Sequence, residues 1–375
     1  MIDYASVTAA EGDAFLTLPP ACYSSEAALD DERRRIFGNG WVGIGRADLW
    51  EKPGEYRAID VAGSPVIVIR RADGGLAAYA NVCRHRGSLL LEGSGTVKTI
   101  SCPYHRWTYD LSGALRRAPD MEDAPGFDPS ANGLVRFHAA ERFGFAFLSL
   151  APEPDDIDDW LADFNDVLGP WSLESLKTVV NRELTIECNW KLFIEVFNEY
   201  THLKHVHPDS IGGYYTMPDR PEDVRGNFVS QFGETVASGT VLAEDAEAAL
   251  PPIPSIEGRN RNGARYTWVY PNLTFGAASD VIWVWDVWPD GPDRCRANFS
   301  LCVAPESLAA DNANDCIAAI DRRMRTAIAE DIDALERQQR GIRSPFALQG
   351  RLSPVMEANV GRFARWYAAQ MDEAV

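Results

Sequence analysis

Residues 83–105 read CRHRGSLLLEGSGTVKTISCPYH, and the fold turns on this stretch. Cys83 and His85 flank one arginine, sixteen residues follow, and Cys102 and His105 then enclose Pro103 and Tyr104. Each pair offers a thiolate and an imidazole. Four such donors can hold one tetrahedral zinc ion, or a [2Fe–2S] centre in which two histidines replace two cysteines on one iron. The first pair is tighter than a zinc knuckle, whose cysteines stand roughly two to four residues apart. The surroundings read as short strands broken by glycine: Ser64–Arg70 (SPVIVIR), Gly75–Asn81 and Phe143–Leu150 (FGFAFLSL). That texture is all-β, and it puts both pairs at loop tips. Trp107 and Tyr109 follow the second pair at once, and Pro103 fixes its turn.

Around this segment the chain runs to 375 residues, 46% hydrophobic and 24% charged. That is enough apolar material for a sizeable core, and it excludes disorder and a disulfide-stapled miniprotein. A net charge of −19 repels phosphate backbones, so nucleic acid is not an expected partner. No run approaches the ~18 apolar residues of a membrane helix, and Met1–Pro20 lacks the pattern of a secretory leader. Seven scattered cysteines, an odd number, do not form a disulfide framework, and a reducing, cytoplasmic compartment is expected. The expected fold is α+β. A small all-β domain at 41–150 follows an N-terminal helical segment at 1–40. A larger domain at 151–375 carries an antiparallel sheet flanked by helices. Helices are expected at 25–37, with Ser25 as cap, at Asp155–Leu168, and at Asp311–Arg340 with Gly341 as C-cap. Strands fill Tyr266–Val303.

Five of the six histidines fall in two tight groups, and the second group lies in residues 189–208, NWKLFIEVFNEYTHLKHVHP. Trp190, Phe193, Ile194 and Phe197 recur at helical spacing, so a buried stripe leads into a polar end. His202 and His207 would sit about 140° apart on a regular helix. They can share one atom only if the helix breaks, and Pro208 favours such an ending. Two imidazoles and one carboxylate would make the facial triad of a non-haem Fe(II) site, with positions left open for O2 and substrate. His205 reads as a surface histidine or one that supports a ligand, not as a ligand itself.

The segments CRHRGSLLLEGSG and CPYHRWTYDLSGAL resemble the Rieske non-haem iron oxygenases in their catalytic α-subunit, and the resemblance covers nearly the whole chain. It implies that Cys83 and Cys102 bind one iron of a [2Fe–2S] cluster and His85 and His105 the other. The family more often has glycine where Arg106 stands, which alters the cluster's surroundings but not its ligands. It points to a segment of the form ED-x4-E-x-QQ for the missing carboxylate, here EDIDALERQQ at 330–339. Along that helix the apolar stripe runs Ile317, Ile320, Met324, Ile328, Leu335. Asp331 falls on it, whereas Asp333 faces water. A buried carboxylate needs a cation, so Asp331 is the expected third ligand. The resemblance also gives Glu199, where many members have Asp, a hydrogen bond to a metal-site histidine and a reach toward a neighbouring subunit's cluster histidine. Asn198 assists near the iron. A head-to-tail homotrimer is implied, with electrons from NAD(P)H arriving through a separate reductase or ferredoxin, since no nucleotide-binding glycine motif is present.

Arg84, Arg86, Arg106, Arg116 and Arg117 crowd the cluster loops. They either steer an acidic electron donor or pair with the chain's own acids. Tyr266, Trp268 and Tyr270, then Trp283, Trp285 and Trp288, supply an aromatic wall or simply core. The wall would suit a quaternary ammonium compound or an aromatic ring. Glu199 and the run WVYPNLTF look more like the quaternary-amine branch than the ring-hydroxylating dioxygenases. Two rivals remain at this point: a Rieske electron carrier, with one iron-binding constellation, and a zinc-stabilised binding protein.

Overall fold

The computed structural model describes residues 2–9, 12–236 and 239–372. Ten strands come first: β1 Trp41–Arg46, β2 Glu55–Val61, β3 Ser64–Arg70, β4 Leu76–Ala80, β5 Ser94–Thr96, β6 Ile100–Ser101, β7 Thr108–Tyr109, β8 Leu115–Arg117, β9 Arg136–Arg142 and β10 Phe145–Ser149. Seven of them form an antiparallel sheet in the order β1-β10-β9-β4-β3-β2-β5, and β6-β7-β8 form a small second sheet. Strand β3 shows why the sequence folds this way. Its side chains alternate between faces. Val66 and Val68 join the main core, while Ile67 and Ile69 pack with Cys83, Cys102, Trp107 and Tyr109. The strand is buried on both sides because each face has its own layer to cover.

Six further strands, β11 Lys177–Ile186, β12 Phe228–Glu234, β13 Gly263–Val269, β14 Leu273–Ala277, β15 Val281–Pro289 and β16 Cys295–Val303, make a second antiparallel sheet in the order β11-β16-β15-β14-β13-β12. Here too the pleat sorts residues: Val281, Trp283, Trp285 and Val287 face one core, Ile282 and Val284 the other.

The helices are α1 Ala5–Thr8, α2 Glu26–Glu32, α3 Ile157–Leu161, α4 Phe164–Leu168, α5 Trp190–Val196, α6 Leu203–Val206, α7 Ala313–Ile342 and α8 Ala358–Asp372. Ser25 caps α2 as expected, accepting from Ala28 N, and the chain then widens into a π-turn over Arg33–Phe37. Buried Glu32 ties this N-terminal segment to the helices that follow. It accepts from Trp190 Nε1 at 2.8 Å, Lys191 Nζ at 2.5 Å and the Tyr367 hydroxyl at 2.7 Å.

Two helix expectations are corrected. Residues 155–168 are not one helix. Ala162 turns to φ 36°, and the chain at 225–227 claims the free backbone groups: Asn227 N donates to Trp160 O and Asp163 N to Arg225 O. Gly341 is not a cap, because α7 runs through it to Ile342, and Arg343 closes the helix in a right-handed conformation that needs no glycine.

Candidate metal centres

The two loops that carry Cys83/His85 and Cys102/His105 are built alike. In the first, Cys83 O accepts from Gly87 N and Cys83 N donates to Ser88 O. In the second, Cys102 O accepts from Arg106 N and Cys102 N donates to Trp107 O. Each loop closes through a residue in the left-handed region, Gly87 at φ 75° and Arg106 at φ 61°. Glycine suits that conformation and arginine does not. The departure noted in the sequence therefore sits where the backbone asks for glycine.

Both sulfurs are buried, and the imidazoles of His85 and His105 lie with ring centroids 4.8 Å apart. Trp107 stacks on His85 at 4.8 Å. The Tyr109 hydroxyl lies 3.5 Å from Cys83 Sγ and accepts from Arg84 N. Burial pushes the Cys102 thiol up, but N–H groups of His105 and Tyr104 stabilise the thiolate and bring it below its ordinary value. His85 Nδ1 is buried with no hydrogen-bond partner. A buried ring nitrogen left without a partner, two residues along the loop from a buried thiol, is what a metal would satisfy. Among the described residues, these four do not gather as donors around a single point. One tetrahedral ion would require that, whereas a two-iron cluster divides its ligands between metals.

The second group does gather. Donor atoms of His202, His207 and Asp331 all lie within 4.8 Å of one another. The spacing problem is solved by breaking the helix. Chain 197–202 leaves α5, Glu199 fixes the turn ahead of α6 by accepting from the backbone N–H of Thr201 and His202, and His207 exits the helix at ψ 41°. Glu199 Oε1 also meets His202 Nδ1, and Glu330 Oε2 meets His207 Nδ1 at 2.6 Å. A carboxylate can only accept, so both Nδ1 atoms carry the proton and both Nε2 atoms offer lone pairs. These point at Asp331 Oδ1, 3.6 Å from His202 Nε2 and 2.9 Å from His207 Nε2. Asp331 Oδ1 is buried and receives no hydrogen bond. Three acceptors facing one another with no donor between them, two of them buried and His202 half-buried, require a cation. Burial disfavours charge on His207, but the Asp331 and Glu330 carboxylates beside it outweigh that and raise its pKa.

Of the other expected site residues, Asp333 and His205 are exposed. Asn198 is buried but does not line the cavity beside the triad. Its amide donates to Ile194 O and Thr274 Oγ1, fixing the end of α5 to the sheet. The aromatic wall divides. Tyr266 and Trp283 line the cavity, joined by Phe197 and Tyr200. Trp268 stacks on Phe363, Tyr270 meets Trp366, Trp285 meets Phe193, and Trp288 packs near Phe37, so these four serve as core. Arg84, Arg86, Arg106 and Arg117 are exposed with no carboxylate in ion-pair reach among the described residues, and Arg116 alone pairs, with Asp110. Sequence reasoning missed Glu330 as the partner of His207, although it directly precedes Asp331. It also missed Arg323, which lines the cavity.

The profile of the ring hydroxylating alpha subunit (catalytic domain) matches residues 173–373, and that of the Rieske [2Fe-2S] domain matches residues 40–128. The chain is a Rieske non-haem iron oxygenase α-subunit. The α-subunit is 36% identical over 205 residues to the glycine betaine monooxygenase oxygenase subunit of Chromohalobacter salexigens, an alignment covering 54% of this chain and 46% of that protein. It is 27% identical to the Pseudomonas aeruginosa protein of the same name, over 96% of this chain and 90% of that one. Its fold matches a crystal structure of CntA, a quaternary ammonium Rieske monooxygenase bound to an inhibitor, with a TM-score of 0.82, 24% identity and 99% of both chains covered. The zinc reading of the first constellation is thereby overturned. The α-subunit carries a [2Fe–2S] cluster and a mononuclear non-haem iron, and its two donor sets fit those groups. No helix among the described residues is long and apolar enough to cross a membrane.

Proposed function

We propose that this α-subunit is the terminal oxygenase of a multicomponent system. It hydroxylates or oxidatively demethylates a quaternary ammonium compound, using O2 and electrons drawn from NAD(P)H through a separate reductase or ferredoxin. The observation that carries this reading is the cavity in which Phe197, Tyr200, Tyr266 and Trp283 stand beside His202, His207 and Asp331. Ring faces attract a cation that has no proton to donate, each worth about 0.5–2 kcal/mol. The names of the relatives point to the same substrate class.

In this reading Cys83 and Cys102 bind one cluster iron, His85 and His105 the other, and His202, His207 and Asp331 bind the mononuclear iron. The bound groups supply single-electron delivery and O2 activation. Glu199 and Glu330 keep the Nδ1 protons in place, so that both Nε2 lone pairs stay available. Asn198 holds the helix end from which His202 follows. The division 1–40, 41–150 and 151–375 is supported by the two profile matches. A head-to-tail homotrimer would bring one subunit's cluster to its neighbour's iron. The seven buried, unpaired cysteines support a reducing, cytoplasmic setting. The unpaired arginines around the cluster suit docking of an acidic electron donor.

The test is turnover with a surrogate reductase against a panel of quaternary amines and aromatic acids, following substrate loss and formaldehyde release, alongside metal analysis. Three irons per chain and amine-dependent product are expected. Turnover of aromatic acids alone would replace the substrate class. Two irons per chain would reduce the protein to an electron carrier. Cluster reduction that is insensitive to ionic strength would remove the docking role of the arginines.

A further inference from the structure

Arg323 lies on α7, is 3% exposed, and lines the same cavity as Tyr266, Trp283 and the three metal-site residues. Its hydrogen bonds are meagre. Nη2–H donates to the Tyr215 hydroxyl at 3.1 Å, which in turn meets the Tyr266 hydroxyl at 2.7 Å. Nη1–H reaches the thioether of Met324, a weak acceptor, the Tyr266 hydroxyl is a second phenol beside the guanidinium, and Nε–H has no acceptor. No carboxylate of the described chain comes within ion-pair reach of it, and its guanidinium lies 5.2 Å over the Trp283 ring. Arginine cannot shed its charge. A buried cation with donors to spare and no acid beside it is incomplete.

We propose that Arg323 receives a carboxylate of the substrate, so that the substrate is a quaternary ammonium carboxylate, a zwitterion, and not an ammonium alcohol. The inference rests on the quaternary ammonium reading and narrows it. A purely cationic ligand would bring a second positive charge against the guanidinium, and the face of Trp283 is already covered. A zwitterion resolves both conflicts. Its carboxylate takes the unspent N–H donors, and its ammonium group is left to Phe197, Tyr200 and Tyr266. Arg323 precedes Asp331 by eight residues, about 12 Å of helical rise. The carboxylate is therefore held away from the metal and the N-methyl end is turned toward it.

Dissociation constants measured by calorimetry on the iron-loaded enzyme test this. The ligands are a trimethylammonium carboxylate, its amide, its alcohol, and a carboxylate with a tert-butyl group in place of the trimethylammonium. The wild type is expected to prefer the acid over the amide and alcohol by on the order of tenfold to a hundredfold. Arg323→Gln should abolish that preference and Arg323→Lys restore part of it. Equal binding of acid, amide and alcohol by the wild type, a comparison that needs no variant, would overturn the proposal. So would a preference that survives in Arg323→Gln. If the tert-butyl acid binds as tightly as the zwitterion while the acid preference persists, the carboxylate subsite stands and the quaternary ammonium reading falls. Failure of all four to bind overturns both.

Discussion

Arg106 closes the second cluster loop at φ 61°, where its counterpart in the first loop is Gly87. A side chain in that region costs roughly 1–2 kcal/mol, part of which a glycine gives back through its freer unfolded chain. Arg106→Gly should therefore stabilise the cluster domain by about 1 kcal/mol. The temperature at which the cluster's visible absorbance bleaches should rise by a few degrees, and a fall would show that the arginine is not strained. Glu330 invites the opposite experiment. It accepts from His207 Nδ1 and from the Ser210 hydroxyl. Glu330→Ala frees the ring to turn, and iron affinity should drop roughly tenfold to a hundredfold. Iron retained per chain during titration with a chelator, with circular dichroism unchanged, measures it. Undiminished retention would leave Glu330 without a part in the site.

At the scale of elements, the metal-site geometry depends on a helix that stops. Helix α6 is one turn long, and the chain after it folds back so that Gly212 N bonds to His207 O. A Cβ at Gly212 would lie 2.6 Å from Leu203 O and 2.7 Å from His207 O. Gly212→Ala should force this loop off α6 and displace His207, lowering iron content while the cluster spectrum survives. Full iron loading in the variant would show that the loop has slack. Much of this was legible beforehand. Four adjoining ligands in a glycine-punctuated β region, and a histidine spacing impossible on a straight helix, both spoke from the residues. What escaped had physical reasons. The break at Ala162 depends on backbone bonds to the distant chain at 225–227, which no local pattern encodes. The aromatic strands look alike whether a ring meets a cavity or a helix, so the residues alone left wall and core open for all six rings, and four are core. Arg323 could have been found. It lies three residues after Ile320 and eight before Asp331, on the inward stripe that singled out the acid, where a buried guanidinium needs a partner as much as a buried carboxylate does.

For the molecule as a whole, stability should carry a pH signature from Asp280. The residue is 2% exposed, receives the Thr240 hydroxyl at 2.9 Å, and leaves Oδ1 unpartnered. Burial pushes its carboxyl from 3.8 up to about 7. Between those values the folded chain keeps a proton that the unfolded chain has released, so stability declines as pH rises through the window. Measured by denaturant unfolding, Asp280→Asn should lose less stability than the wild type between pH 5 and pH 8, a difference of the order of a few kcal/mol. Parallel losses would mean that the carboxyl is hydrated.

One unbroken helix of 30 residues carries Glu330, Asp331 and Arg323. That makes α7 a ruler. The span between the metal and the anion it is proposed to read is graduated in turns of about 5.4 Å and does not stretch with the flexibility of a loop. A redesign for shorter molecules would slide the guanidinium one graduation down, to the position of Ala327, which borders the same cavity. Loosening the walls would blur the selectivity without resetting the length.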